Sequence, residues 1–139
     1  MINEEVIEVL YTKYDVDWKI SEKAMELYKL RNGKYNSMAL ETNDLCRSDP
    51  ILIQIYKELG DELITNCSKI KIKKISKKYE NYYYISEYNG IECLKIDYTQ
   101  YKLDTIYNKI TEILQSTNNN KIKIIEIEEF ISTIKSENM

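Results

Sequence analysis

The chain has 139 residues, of which 43% are hydrophobic and 31% are charged, and its formal net charge is −3. This length and balance indicate one globular domain, or one domain with an appendage, that buries a sizeable core. The sequence contains no histidine, which excludes Ser-His-Asp catalysis, Cys-His catalysis and histidine-ligated zinc.

The start of the chain, MINEEVIEVL, is acidic and differs from secretory and mitochondrial leaders. No apolar run approaches the roughly 20 residues of a membrane span. Cys46, Cys67 and Cys93 are widely spaced, so three free thiols in a reducing compartment are expected. The abundant Ile, Lys, Asn and Tyr have A/T-rich codons, which indicates an A/T-rich genome such as those of large DNA viruses and some low-GC bacteria.

The first predicted element is a strand over residues 4–14, which are rich in β-branched and aromatic side chains. A helix is predicted over residues 21–31, because Ser21 is a typical N-cap residue and apolar side chains follow at helical spacing. Asn32-Gly33 is expected to end this helix.

Residues 34–48 are predicted to form an irregular polar loop with a short extended piece at residues 38–40. Asp49-Pro50 then opens a second helix, since Asp accepts unpaired amide hydrogens at an N-cap and Pro is well suited to the next position. Gly60 stands where that helix should end.

Residues 69–75 alternate Lys with Ile and predict a half-buried strand. The alternation breaks at Lys73-Lys74, where a bulge or twist is expected. Residues 82–88 and 91–96 predict two strands joined by Asn89-Gly90, a strong hairpin signal.

An amphipathic helix is predicted over residues 98–115 and a loop over 116–120. A further strand is expected over KIKIIEI at 121–127 and a short terminal helix over 128–135. The predicted fold class is α+β, with an antiparallel sheet of about four strands and two or three helices packed mainly on one face. Residues 1–116 would form a single α+β domain, and 117–139 a C-terminal strand/helix appendage packed on the same domain.

Lysines of the second predicted strand and tyrosines of the third are the first candidate binding group. Lysines could follow phosphates, and tyrosines could stack on bases, as in single-strand binding proteins. The competing interpretation is a solvent-facing strand protected by lysines, with tyrosines packing across the sheet. The candidate residues are Lys69, Lys71, Lys73, Tyr82 and Tyr84.

Acidic residues of the hairpin are the second candidate group. Glu87 and Glu92 flank the turn, and Asp97 follows the second strand. A carboxylate cluster of this kind can hold Mg²⁺ for phosphoryl chemistry. The competing interpretation is that such acids serve solubility alone, and their spacing matches no known metal motif.

Two further candidates lie elsewhere in the chain. Arg47, two residues before the N-cap Asp49, stands where an anion could bind, although an Arg in this position also pairs readily with a nearby acid. Trp18 and Tyr14 could anchor a protein partner, whereas a lone Trp more often lies in or beside the core.

The order of these motifs resembles a small protein family of bacteriophages and giant DNA viruses over residues 5–97. The family pattern has Arg-x-Asp-Pro before a helix ending in Glu-Leu-Gly, and Ile-x-Glu-Tyr-Asp-Gly-x-Glu later in the chain. This sequence departs from it at Val16–Asp17, Ser76 and Asn89, which replace glycines, a proline and an aspartate. The matching positions are Ile20, Ser21, Ala24, Leu27, Tyr28, Arg47, Asp49, Pro50, Glu58, Leu59, Gly60, Ile70, Ile72, Ile75, Ile85, Glu87, Tyr88, Gly90 and Glu92.

The resemblance implies a viral accessory protein, and the family has no established activity. We therefore expect a non-enzymatic viral accessory or virion-associated protein that binds a viral or host protein and forms a homo-oligomer. It would lie in the host cytoplasm or the virion interior, with no catalytic residue, cofactor, metal or membrane partner. The alternatives are nucleic-acid or nucleotide binding through the Lys/Tyr strand, and a metal-dependent hydrolase that uses the hairpin carboxylates.

Overall fold

The chain is α+β and divides into two compact units, Met1–Asp97 (the first unit) and Tyr98–Met139 (the second unit). The computed structural model describes residues 4–13, 17–66, 69–89 and 91–137.

The first unit holds all the strands that the structure describes, together with three α-helices. The strands are β1 (Val6–Thr12), β2 (Ile70–Ser76), β3 (Tyr83–Tyr88) and β4 (Ile91–Ile96). The helices are α1 (Glu22–Leu30), α2 (Ser37–Thr42) and α3 (Pro50–Leu59), and short 3-10 helices cover Asp44–Ser48, Gly60–Leu63 and Lys77–Tyr79. The second unit contains α4 (Tyr98–Gln115) and α5 (Asn120–Glu137).

The strands form two separate antiparallel sheets, β1–β2 and β3–β4. The expected single sheet of four strands is therefore wrong, although the number of strands in the described residues is four. The β3–β4 hairpin packs on the β1–β2 sheet through a cluster that includes Val9, Ile75, Tyr83 and Leu94. Helices α1 and α3 of the same unit pack in the cluster that covers the opposite face through Leu10 and Ile70, so each face of the β1–β2 sheet is covered in part.

The bulge expected at Lys73-Lys74 is absent, because the register between β1 and β2 is continuous from Val6↔Ser76 to Thr12↔Ile70. Ile70 contributes to the core under the helices, whereas Ile75 packs against the hairpin. Side chains alternate between the two faces of a strand. The break in the Lys/Ile pattern at Lys73-Lys74 therefore marks where β2 changes from burying its helix-facing side, at Ile70, to burying its hairpin-facing side, at Ile75.

The predicted start and end signals of α1 and α3 are confirmed. Ser21 accepts a hydrogen bond from the amide of Ala24 and caps α1. Asp49 caps α3, and Gly60 follows that helix with φ of 62°, a conformation that favours glycine.

Residues 34–48 are largely helical, so the predicted loop with an extended piece at 38–40 is wrong. Asn36 accepts the amide of Ala39 and caps α2. Asn43 then caps the 3-10 helix Asp44–Ser48 by accepting the amide of Leu45. Both helices are too short to show the periodicity on which a prediction from sequence depends.

The strand expected at 121–127 is also wrong, because α5 is continuous over Asn120–Glu137. Asn119 accepts the amide of Ile122, which is the bond of a helix N-cap. The Ile-rich alternation that suggested a strand also contains helical spacing, and the second unit has no strand among its described residues that could pair with it. Within the described residues, none of the helices combines the length and hydropathy of a membrane span.

Candidate functional site

Three of the predicted site residues meet at one edge of β1. Arg47, in the 3-10 helix Asp44–Ser48, is only 4% exposed. Its guanidinium binds the Glu92 carboxylate through two bonds, Nη1–Oε1 at 2.9 Å and Nη2–Oε2 at 3.0 Å. We call Arg47 and Glu92 the edge pair.

Trp18 forms one wall of this site. The Arg47 guanidinium carbon lies 3.6 Å from the centroid of a Trp18 ring, which is the geometry of a cation–π interaction. Trp18 is buried, and its indole N–H donates to the carbonyl of Leu40 at 3.0 Å. Trp18 therefore belongs to the core, while Tyr14, its predicted companion, lies outside the described residues.

The edge pair takes the place that a third strand would have beside β1. On the edge of β1 that faces away from β2, the Thr12 amide donates to Glu92 Oε1 at 2.8 Å. On the same edge, the Leu10 carbonyl accepts from Arg47 Nη1 at 3.4 Å. Because side chains occupy this edge, β4 does not join β1 in a ladder, which explains the division into two sheets.

The carboxylate of Glu92 is held in its charged form. Burial raises the pKa of Glu92, but the hydrogen bonds and charge of Arg47, together with the Thr12 amide, outweigh burial and hold that pKa below its ordinary value. An ionised Glu92 with these partners ties β4 to β1 and to the 3-10 helix that carries Arg47.

The Asp49 carboxylate is also bound by groups inside the fold. Its Oδ1 accepts the amides of Ile51 at 2.8 Å and Leu52 at 3.3 Å, and its Oδ2 accepts the Tyr28 hydroxyl at 2.8 Å. Burial, followed by the bond to Asp49, raises the pKa of Tyr28. Gly33 packs so closely on Tyr28 that a Cβ there would overlap the ring.

The β3–β4 hairpin is anchored to the 3-10 helix that carries Arg47. The Tyr83 hydroxyl lies 2.9 Å from both the Leu45 carbonyl and Ser48 Oγ, and the Ile85 amide donates to Asp44 Oδ2 at 3.0 Å. Burial raises the pKa of Tyr83 to about 12, although its bonds to Ser48 oppose the shift. These bonds and the edge pair fix the hairpin at two positions.

The predicted acidic cluster is not assembled. Glu87 is the cross-strand partner of Glu92, but Arg47 already occupies the Glu92 carboxylate. Asp97 lies at the other end of the hairpin, where its amide donates to the carbonyl of Tyr82 at 2.6 Å. In the part of the chain that the structure describes, no group of three potential metal-ligating residues exists.

The lysines and tyrosines of the first candidate group lie on different surfaces. Lys69, just before β2, and Lys71 and Lys73 within it are exposed, and their alternation places them on one side of the strand (the lysine face). Tyr84 is 45% exposed on the side of the hairpin that faces away from the β1–β2 sheet. Tyr82 precedes β3 and contributes its carbonyl to the bond with Asp97.

Two adjoining clefts border the N-terminus of α3. Their volumes are about 330 and 420 Å³. Both are lined by Ile7, Ser48 and Pro50. The amides at the start of α3 are already bound by Asp49, so the helix N-terminus is not an open anion site.

The second unit exposes a large apolar surface. Ile113 is the one buried side chain among its described residues. Exposure of the other large apolar side chains reaches 70% at Tyr107. We call the following set the apolar helical surface: Leu103, Tyr107 and Leu114 of α4, with Ile124 and Ile131 of α5. Ile122 and Ile125 are also exposed, on other sides of α5.

Comparison with protein-family models, curated proteins and solved structures finds no match to this chain. The resemblance to a viral family therefore stays a prediction, and the contacts and exposed surfaces of this chain are the basis for any proposed function.

Sequence reasoning missed the edge pair because Arg47 and Glu92 are 45 residues apart. One signal could have indicated it, since the chain has only two arginines among its 20 basic residues. Both arginines form two-bond pairs with glutamate, Arg31 with Glu58 and Arg47 with Glu92. Lysine cannot reproduce this fork, so the rare arginines indicate where two-bond pairs form, and of the two pairs Arg47–Glu92 is the buried one.

Proposed function

We propose that this protein is a non-enzymatic, self-associating viral accessory or virion-associated protein that acts by binding a protein partner through its second unit. The observation that carries the proposal is the apolar helical surface, which extends along both α4 and α5. Exposed apolar patches of this kind mark protein interaction sites. The host cytoplasm or virion interior, as the place of action, follows from the resemblance to the viral family.

The first unit supports this proposal through what its charged residues already do. The side chains that looked most suited to chemistry, Arg47, Asp49 and Glu92, are bound to partners inside the fold. Each of them holds secondary-structure elements together. The structure of the first unit therefore uses these three side chains to hold the fold together, which leaves binding to other surfaces of the protein.

Photo-crosslinking in cells tests the proposal. A photoreactive phenylalanine analogue is placed at Tyr107 in the full chain, and the matched control carries it at Leu30 of α1, which is 79% exposed. We expect protein adducts at position 107 and few or none at position 30. Equal labelling at both positions, or no protein adduct at position 107, refutes the proposal.

A second function, nucleic-acid or nucleotide binding, is favoured by the lysine face. Three exposed lysines alternate along β2, and binding through them would weaken steeply as salt is raised. The test is a mobility shift at several salt concentrations with Lys71→Glu, and with Lys29→Glu in α1 as the matched charge control. No shift at low salt, or equal effects of the two variants, refutes this function.

A further inference from the structure

We infer that the partner that covers the apolar helical surface is a second copy of this chain, and that two second units form a four-helix bundle. The inference rests on the proposed function, because it names the partner of the same surface. The spacing of the apolar residues, the size of the second unit and its charge all favour such a dimer.

The spacing of the apolar residues is that of a helix–helix seam. In α4 they recur at intervals of four, three and four residues: Leu103, Tyr107, Ile110 and Leu114. In α5 they recur at intervals of three, four and three: Ile124, Ile127, Ile131 and Ile134. Such spacing keeps one apolar stripe directed at a neighbouring helix over several turns, so the expected partner also presents helices.

The residue types in α5 favour more than two helices. Isoleucine occupies every position of its seam, and isoleucine at both core positions of a heptad shifts the preference from two strands towards bundles of three or four. The second unit supplies two helices, α4 and α5. A second copy raises the number to four and needs no other protein.

The size of the second unit agrees with a shared core. Tyr98–Met139 contains one buried side chain, Ile113, among its described residues, and units of about 40 residues usually need oligomerisation or another reinforcement. Each helix has 18 residues and is about 27 Å long. A face two helices wide buries on the order of 1,000 Å² over both copies, which reaches the lower limit of a specific interface.

The charge of the second unit permits self-association. Tyr98–Met139 contains five lysines and six acidic residues, a net charge of −1. Two copies therefore repel one another little. An interface that is identical on both copies also closes with two-fold symmetry, which limits the assembly to a dimer.

The decisive experiment is sedimentation equilibrium of the full chain between about 1 and 100 μM, a range chosen because interfaces at this lower size limit have dissociation constants near micromolar. The monomer mass is 16.6 kDa. We expect the average mass to rise with concentration towards twice that value. A monomer throughout this range overturns the inference, and so does an open series of larger species.

Variants assign the dimer to the second unit. Tyr107→Glu and Ile131→Glu each place a charge in the seam, and glutamate is a good helix former, so the helices should be retained. Each variant is expected to weaken dimerisation about tenfold or more. Leu30→Glu in α1 is the matched control and should dimerise like the wild type. Equal weakening by Leu30→Glu overturns the inference, and circular dichroism confirms that each variant retains its helices.

The outcomes separate this inference from the proposed function. Adducts at position 107 that contain two copies of this chain support both. Adducts with a different protein, from a chain that is monomeric in solution, overturn the inference and leave the proposed function intact. If a seam variant does not fold, the mass of the wild type decides the inference alone.

Discussion

Replacing Glu92 with Gln tests whether the edge pair organises the first unit. Glu92→Gln keeps the size of the side chain and removes its charge, so the Arg47 guanidinium, which is 4% exposed, stays buried without a counter-charge. Breaking one side of a buried ion pair costs about 3–5 kcal/mol of unfolding free energy. This is a large share of the roughly 5–15 kcal/mol that stabilises a typical protein.

A double-mutant cycle isolates the interaction. Arg47→Met leaves the Glu92 carboxylate without its main partner, and we expect a loss in the same range of about 3–5 kcal/mol. The other single variant of the cycle is Glu92→Leu. Arg47→Met combined with Glu92→Leu removes both charges, so the double variant should lose less stability than these two single variants together. It still loses the partners of the Leu10 carbonyl and the Thr12 amide, at about 1–3 kcal/mol for each group left unpaired.

Urea unfolding followed by far-ultraviolet circular dichroism measures these free energies. The matched control is Glu58→Gln, because Glu58 also binds an arginine through two bonds but lies on the surface with Arg31. We expect little change in that control, since exposed pairs contribute little. Equal effects of Glu92→Gln and Glu58→Gln, or strictly additive losses in the cycle, would refute the role of the edge pair.

The same pair predicts an acid dependence of stability. The pKa of Glu92 is lower in the folded chain than its ordinary value, so the unfolded chain binds the proton more tightly. The contribution of Glu92 is therefore complete above the unfolded value of about 4.3, and declines as pH falls from there through the folded value. In Glu92→Gln this part of the decline should be missing, and an unchanged profile between pH 7 and pH 3 contradicts the assignment.

Three further substitutions probe the surroundings of the edge pair by the same urea assay. Asp49→Ala removes the cap of α3 and the acceptor of the Tyr28 hydroxyl, at an expected cost of about 2–4 kcal/mol of unfolding free energy. If Asp49→Ala costs the same in the wild type and in a Tyr28→Phe background, the bond between Tyr28 and Asp49 contributes nothing. Gly33→Ala places a Cβ against the Tyr28 ring and should lower the unfolding free energy by about 1–3 kcal/mol. A smaller side chain at position 28 should reduce the cost of Gly33→Ala, because it removes the overlap. Tyr83→Phe should lower the unfolding free energy near neutral pH. The difference in unfolding free energy between wild type and variant should persist to pH 10 and shrink as pH rises towards 12, because the pKa of Tyr83 is about 12 in the folded chain against an ordinary 10.0. A difference that does not vary with pH refutes the burial of the Tyr83 hydroxyl.

Local signals in the sequence were sufficient for the elements whose stability is itself local. The caps Ser21 and Asp49, the stop at Gly60 and the periodicity of α4 all act within a few residues, and the structure confirms each of them. The two strands predicted on either side of Asn89-Gly90 pair as β3 and β4. Asn89 has a φ of 53°, and Gly90 lies outside the described residues.

Contacts between distant segments decided the rest. The sequence by itself determined the α+β class, the strands of the first unit and the helices whose caps and stripes are complete, because those choices depend on neighbours along the chain. Only the tertiary structure decided that Arg47 and Glu92 meet at the edge of β1, since a bond across 45 residues leaves no local pattern. It also decided between strand and helix for residues 121–127, whose isoleucines fit both spacings until their surroundings are known.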